Sequence, residues 1–388
     1  QPLLDYPHHI LRKQLYGVDI DTEAAEIAAV NLTMQAFTDA RQEKLPLILN
    51  ENIKVGNSLI SGSEQELRRY FGDSRGEKRP FNWEEEFSEI MKNGGFDVVI
   101  GNPPYVAYYS RESKEIDEGH KGYLIDTFGA EIGGSQNTFL QFIIRGLHLL
   151  RRGGVISYIV PDTFMVNERY DLLRRNLITE AMPLRIVQTR FAVFPQFVRS
   201  CIFVARNDQV ADYTCLLSFA YSEEELGTNR FSEEFVMHPQ DFLTNPHCRL
   251  LPKVPILSRI KGTMPLYEIC QVKDGINPGM SSFGLRALLF RNNKEGTNPQ
   301  KLIEGKSIYR YSVRWSGMWV DYDENLITPE AKKGGASLRD EAIFTQPKKL
   351  VSRQTSDRLI FALDDEQFYT TNSVHNTFHL QGLGFVRV

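Results

Sequence analysis

Short apolar runs alternate with stretches of helical period through the first half of the chain. LYGVDI, residues 15–20, reads as a buried strand. TEAAEIAAVNLTMQAF, residues 22–37, repeats apolar positions at helical spacing, with Thr22 as N-cap and acids in the first turn. NIKVGNSLI (52–60) is a second strand closing in a Gly-Asn-Ser turn, and the charged stretch 61–92 reads as a helical insertion. FDVVIG (96–101) is a third strand. A polar segment over 110–135 is predicted to be mobile, and NTFLQFIIRGLHLLRRGG to be an amphipathic helix stopped by a glycine pair. GVISYIVPDTF gives a fourth strand, followed by a helix near 168–180, the strand LRIVQTR and a strand pair around FAVFPQFVRSCIFVAR. Strands alternating with helices predict an α/β domain over 1–210 with a mostly parallel sheet.

Residues 211–262 carry no clear period and read as a connector. From 263 to 388 the texture changes to short strands and turns rich in aromatics, as in SIYRYSVRWSGMWVDYD and KKLVSRQTSDRLIFALDDEQFYTTNS, which predicts a separate β-rich α+β domain. The net charge of −4 argues against a surface coated for nucleic acid, though not against a local basic cleft. Residues 263–388 hold 16 Lys+Arg against 14 Asp+Glu, about +2, which leaves about −6 for the rest. Four scattered cysteines without CxxC spacing read as free thiols of a cytoplasmic protein, not as a zinc site. No apolar run approaches the ~20 residues of a membrane span.

The chemistry concentrates at strand ends, where open α/β sheets bind ligands. GVDID puts Asp19 at its tip, either a carboxylate for the two hydroxyls of a ribose or a helix-start acid favoured by the dipole. VGNSL puts Asn57 at the next tip, either for an adenine edge or as a turn residue. The third tip, Asn102-Pro103-Pro104-Tyr105, is more specific. Pro104 holds Pro103 extended and lacks an N–H, so the Pro103 carbonyl is turned outward and unpaired. The Asn102 side-chain oxygen adds a second acceptor, and Tyr105 a flat face. Two acceptors above a stacking surface suit a planar amino group with two hydrogens to give.

The ordered set GVDID, VGNSL, NPPY, QNTFLQF…LLRRGGVISYIVP and VFPQFVRSCIFVA resembles the gamma-class adenine-N6 DNA methyltransferases, the NPPY enzymes of restriction-modification and phage-exclusion systems. The likeness covers residues 10–210. YEICQVKDGINPG, IEGKSIYRY, WVDYD, QPKKLVSR and FALDDEQFYTTNS resemble that family's target-recognition domain. The resemblance implies a Rossmann-like class I methyltransferase sheet, S-adenosylmethionine as cofactor and double-stranded DNA as partner. It implies Asp19 at the cofactor's ribose, Asn57 and Phe139 at its adenine, and Ile20 and Ser58 among the cofactor-binding residues. Asn102 and Pro103, fixed by Pro104, would hold the target amino group, with Tyr105 and Phe194 on the two faces of a flipped base. Arg310, Lys349 and Arg353 are candidate DNA contacts.

The family's FxGxG-like turn, which cradles the methionine part of the cofactor, is expected before GVDID and does not occur there. SFGLR and HLQGLGF have the wrong spacing or context. We therefore expect the chain to be part of a longer protein, with an incomplete sheet and weak cofactor binding alone. A nuclease is expected only outside this chain, since Glu112-Ser113-Lys114 and Glu330-Ala331-Lys332 are common triplets. Competing readings are an NPPY enzyme for protein glutamine or RNA, and a recognition module without catalysis. A nicotinamide dehydrogenase would require GxGxxG, which is absent.

Overall fold

The computed structural model describes residues 6–37, 48–106, 117–133, 137–194, 199–252, 266–279, 290–333, 335–356 and 358–379. The chain divides into two units, Gln1–Ser258 and Arg259–Val388.

In the first unit, helix α1 (Tyr6–Lys13) precedes β1 (Gly17–Asp19), α2 (Thr22–Phe37) and β2 (Ile53–Val55). β1 and β2 pair in parallel as a two-stranded sheet. The cap of α2 lies one residue before the expected Thr22, because the Asp21 carboxylate accepts the Glu23 N–H at 2.9 Å. Short helices α3 (Glu64–Phe71), α4 (Trp83–Glu86) and α5 (Ser88–Lys92) fill the charged insertion.

A six-stranded sheet follows. Its strands are β3 (Phe96–Gly101), β4 (Leu150–Pro161), β5 (Met182–Thr189), β6 (Ser200–Arg206), β7 (Cys215–Ala220) and β8 (Glu233–Met237), in the order β3-β4-β6-β5-β7-β8. The sheet is mixed rather than mostly parallel, since β6 runs against both β4 and β5, and β8 against β7. The stretch read as a connector therefore supplies two strands to this sheet. CLLSFA is a buried run too short to announce itself by period.

Helix α6 (Glu118–Ile132) occupies most of the segment expected to be mobile, and it buries Tyr123, Leu124, Phe128 and Ile132. Helix α7 (Thr138–Leu149) ends before Arg151, so the RRGG run already belongs to β4. Helix α8 (Asp171–Glu180) packs with α6 and α7 over one continuous core that includes Phe139, Ile156, Phe164 and Phe203. Gly146 permits the close approach of α7 to β4, because a Cβ there would lie 2.6 Å from Ile156 Cδ1.

Two apolar surfaces stay uncovered among the described residues. Helix α2 buries Ala25 and Ala29 against Leu11, Ile48 and Ile53, yet Ile27, Val30 and Met34 are 57–65% exposed on another face. β3 pairs only with β4. Its Val98 and Ile100 are 59% and 77% exposed.

The second unit is built of short strands: β9 (Cys270–Asp274), β10 (Phe290–Arg291), β11 (Pro299–Ile303), β12 (Ile308–Tyr309), β13 (Ser312–Val313), β14 (Trp319–Asp321), β15 (Lys349–Arg353), β16 (Phe361–Asp364), β17 (Tyr369–Thr370) and β18 (Val374–His379). They form two four-stranded sheets, β10-β14-β11-β17 and β16-β15-β18-β9, and the hairpin β12-β13. Its apolar clusters centre on Phe344 and Tyr369, and on Val351 and Val374. Among the described residues no helix is long and apolar enough to cross a membrane.

Candidate active site

β3, β4 and β5 run in the same direction, so their carboxyl ends share one edge of the sheet. β3 stops at Gly101, opposite Tyr158, while β4 continues to Pro161. The longer strand gives the Asn-Pro-Pro-Tyr segment something to fasten to. The Tyr105 hydroxyl donates toward the Ile159 carbonyl at 3.1 Å and the Asn102 side-chain oxygen at 3.0 Å. The Thr138 hydroxyl donates to the Pro104 carbonyl at 2.6 Å and accepts the Val106 N–H at 3.2 Å. The segment is thus held on both sides, by β4 and by the start of α7.

Asn102 is exposed and Pro103 is buried. Among the described residues the Pro103 carbonyl accepts no hydrogen bond, whereas the Pro104 carbonyl is taken by Thr138. Burial pushes the Tyr105 phenol above its usual range; a bond with Ser200 opposes this and the Cys201 thiol adds to it. The hydroxyl therefore stays a neutral donor at ordinary pH.

The cofactor-side residues lie at the ends of β1 and β2. Asp19 is exposed, and one carboxylate oxygen accepts the Asp21 N–H at 2.8 Å. Ile20 is 52% exposed, an apolar face beside that carboxylate. Asn57 spends its side-chain oxygen on the Leu59 N–H at 3.1 Å. It acts as a turn residue through its oxygen, and its amide N–H groups are the donors left to meet a ligand. The Ser58 carbonyl accepts from the Trp83 indole at 3.1 Å.

Arg79, which the sequence reading missed, ties these two tips together. Its guanidinium donates to the Ile20 carbonyl at 2.7 Å and to the Thr22 hydroxyl at 3.2 Å, while its own carbonyl accepts the Asn57 N–H at 2.6 Å. Arg145 was also missed. It donates to the Leu59 carbonyl and the Ser61 hydroxyl, both at 3.2 Å, and fixes the β2 turn from α7.

Phe139 does not offer its ring to an adenine. It is fully buried, edge-on to Tyr105 at 6.3 Å and to Tyr170 at 5.7 Å. Its position directly after Thr138 makes it the floor under Tyr105 instead. Phe194 is half-buried in the segment that follows β5, on the same sheet edge as Asn102. Glu112-Ser113-Lys114 lies outside the described residues.

In the second unit, Lys349 is not a DNA contact. It is 2% exposed, with its ammonium 2.6 Å from Asp364 and donating to the Phe344 carbonyl at 2.9 Å. Arg310 is exposed, and Arg353 is half-buried with its Nε on the Ile308 carbonyl at 2.9 Å.

An open α/β sheet that delivers Asn-Pro-Pro-Tyr to its ligand edge is thus followed in this chain by a β-rich unit. Residues 13–194 match the Eco57I restriction-modification methylase family, and residues 300–382 match the TaqI-like C-terminal specificity domain. The chain is therefore an Eco57I-type restriction-modification methylase domain followed by a TaqI-like specificity domain. RM.MjaORFECS2P of Methanocaldococcus jannaschii is 27% identical over 289 residues, 72% of this chain and 22% of its own length. The type II methyltransferase M.BstVI of Geobacillus stearothermophilus is 25% identical over 292 residues, 67% of this chain and 48% of its own. The chain thus spans less than half the length of either relative. Among solved structures, the DrdV–DNA complex has a TM-score of 0.60 at 10% identity, covering 95% of this chain and 43% of that one, which is a likeness of fold.

Proposed function

We propose that the protein methylates the N6 amino group of adenine in double-stranded DNA, as the modification activity of a restriction-modification or phage-defence system. The observation that carries this reading is the strand-end clamp. Asn102 presents a side-chain oxygen held by Tyr105, and Pro103 a carbonyl that accepts no hydrogen bond among the described residues and is fixed by the proline after it.

An adenine amino nitrogen is a poor nucleophile because its lone pair is delocalised into the ring. Two acceptors that bind its hydrogens favour a pyramidal nitrogen and localise that lone pair. They are matched to a geometry reached only on the way to the transition state. Tyr105 gives the extracted base a flat face, and Phe194 is placed on the same edge to cover the other; together they offset part of the stacking lost from the duplex.

S-adenosylmethionine would supply an electrophilic methyl group here. The residues on the page fit its adenosine half: the second Asp19 oxygen for the ribose, Ile20 for an apolar face and the Asn57 amide for the adenine edge. Phe139 is not part of that set.

The test is the full-length protein with methyl-labelled S-adenosylmethionine and duplex DNA, digested to nucleosides. Label in N6-methyladenine is expected. Label only in protein or RNA, or none in wild type, would sink the reading. Asn102→Ala should abolish transfer and leave DNA binding intact.

A further inference from the structure

The hairpin β12-β13 turns through Arg310-Tyr311, between the paired residues Tyr309 and Ser312. Tyr311 sits at φ +66°, a left-handed conformation that suits glycine or asparagine and strains a bulky side chain. Its ring contributes little to folding, since Tyr311 is 78% exposed. The strained conformation is held from outside the turn, by the Tyr311 N–H donating to the Phe361 carbonyl at 2.9 Å. A tyrosine kept where glycine would be easier, and kept in solvent, is spent on something other than stability.

Three arginines converge on the same hairpin. The Arg314 and Arg353 guanidiniums lie 4.7 and 5.8 Å from the Tyr309 ring centroid, and that of Arg310 lies 5.1 Å from the Tyr311 ring. Arg353 is further fixed through the Ile308 carbonyl. Among the described residues none of the three pairs with a carboxylate. Arg353 also lines a cavity of about 410 Å³ with Glu304, Lys306, Thr355, Asn372 and Ser373, where Lys306 pairs with Glu304 at 2.7 Å and leaves the Arg353 guanidinium as the cation without a carboxylate among the described lining residues.

We infer that this hairpin is a DNA-reading element of the specificity domain, with Arg310 and Tyr311 at its tip contacting base edges and Arg314 and Arg353 gripping phosphate. Guanidiniums pre-oriented on aromatic rings present flat, rigid donor forks, which match a guanine edge or a phosphate better than mobile lysines do. The inference rests on the reading of the protein as a DNA methyltransferase.

The test uses the full-length protein and a duplex carrying a site located by mapping the adenines that wild type methylates, or a mixed-sequence duplex if none is methylated. Binding is measured by anisotropy from 50 to 200 mM salt for Arg310→Ala, Tyr311→Gly and Arg314→Ala, with exposed Lys332→Ala as control. Arg314→Ala should reduce the log–log salt slope by about one. Arg310→Ala and Tyr311→Gly should weaken specific binding about tenfold. Tyr311→Gly should melt no lower than wild type, which separates lost contact from lost fold. Unchanged affinity and slope in all three variants would overturn the inference, as would a wild type that does not bind duplex. Wild type that binds DNA without methylating adenine would refute the proposed reaction alone, and the same comparison of variants would still decide the hairpin.

Discussion

The Tyr105 hydroxyl stands 3.0 Å from the Asn102 side-chain oxygen and 3.1 Å from the Ile159 carbonyl, so one proton aims the clamp and moors it to β4. Tyr105→Phe keeps the flat face and removes the donor. Single-turnover methylation of DNA should fall about tenfold, the worth of one partly buried hydrogen bond. Tyr105→Ala removes the face as well and should cost roughly a hundredfold or more. Equal rates for phenylalanine and wild type would show that the hydroxyl does not position Asn102.

Arg79 connects the tips of β1 and β2 through three hydrogen bonds, two from its side chain. Arg79→Ala leaves its carbonyl on the Asn57 N–H but frees the turn after Asp19. In the full-length protein, calorimetry should show S-adenosylmethionine bound about fivefold more weakly, with little change in melting temperature.

Lys349 and Asp364 form an ion pair with both side chains fully buried, and burial pulls the lysine pKa down. Lys349→Met strands a carboxylate in the core and should cost about 3–5 kcal/mol by denaturant titration. Asp364 also accepts the Glu366 and Phe368 N–H groups. The double variant Lys349→Met, Asp364→Asn should therefore recover much of the loss. The salt slope of DNA binding should not move in the double variant.

Asp117 caps α6 through the His120 N–H at 2.8 Å and pairs with Lys78 at 2.5 Å. Burial pushes its carboxyl up, but these partners outweigh it and hold the pKa below the usual value. A lowered carboxyl stabilises the fold above its unfolded pKa and loses that contribution as pH falls through the folded one. Asp117→Asn keeps a capping oxygen but loses the charge beside Lys78 and the helix start, which should cost about 0.5 kcal/mol at pH 7. The difference from wild type should shrink as pH falls through the lowered folded pKa, where the carboxyl loses its charge.

The catalytic half was legible where strands are continuous apolar runs with chemistry at their ends. FDVVIG and GVISYIVP are continuous runs dominated by apolar residues, so they show no alternation to misread, although Val98 and Ile100 of the first stand exposed. Helix α6 was not legible, because Gly119, Gly122 and Gly129 dilute a helical signal whose apolar positions serve the core. Asn57 and Phe139 follow from the motif as ligand contacts, but geometry spends the first partly on its turn and the second wholly on packing. Lys349 looked like a surface base because sequence shows a charge and not its partner. The hairpin register that sets Lys349 opposite Asp364 supplies the missing fact. Arg79 carries no signal at all, since it is one basic residue in a charged stretch.

The open edge of β3 has a practical corollary. N–H and carbonyl groups that no strand pairs among the described residues, flanked by Val98 and Ile100 and with the second apolar face of α2 also uncovered by those residues, are a template for pairing with another chain. Produced by itself, this polypeptide should elute from a sizing column as concentration-dependent aggregates. Val98→Lys on the outer strand should restore a monomer peak, an outcome light scattering can read directly.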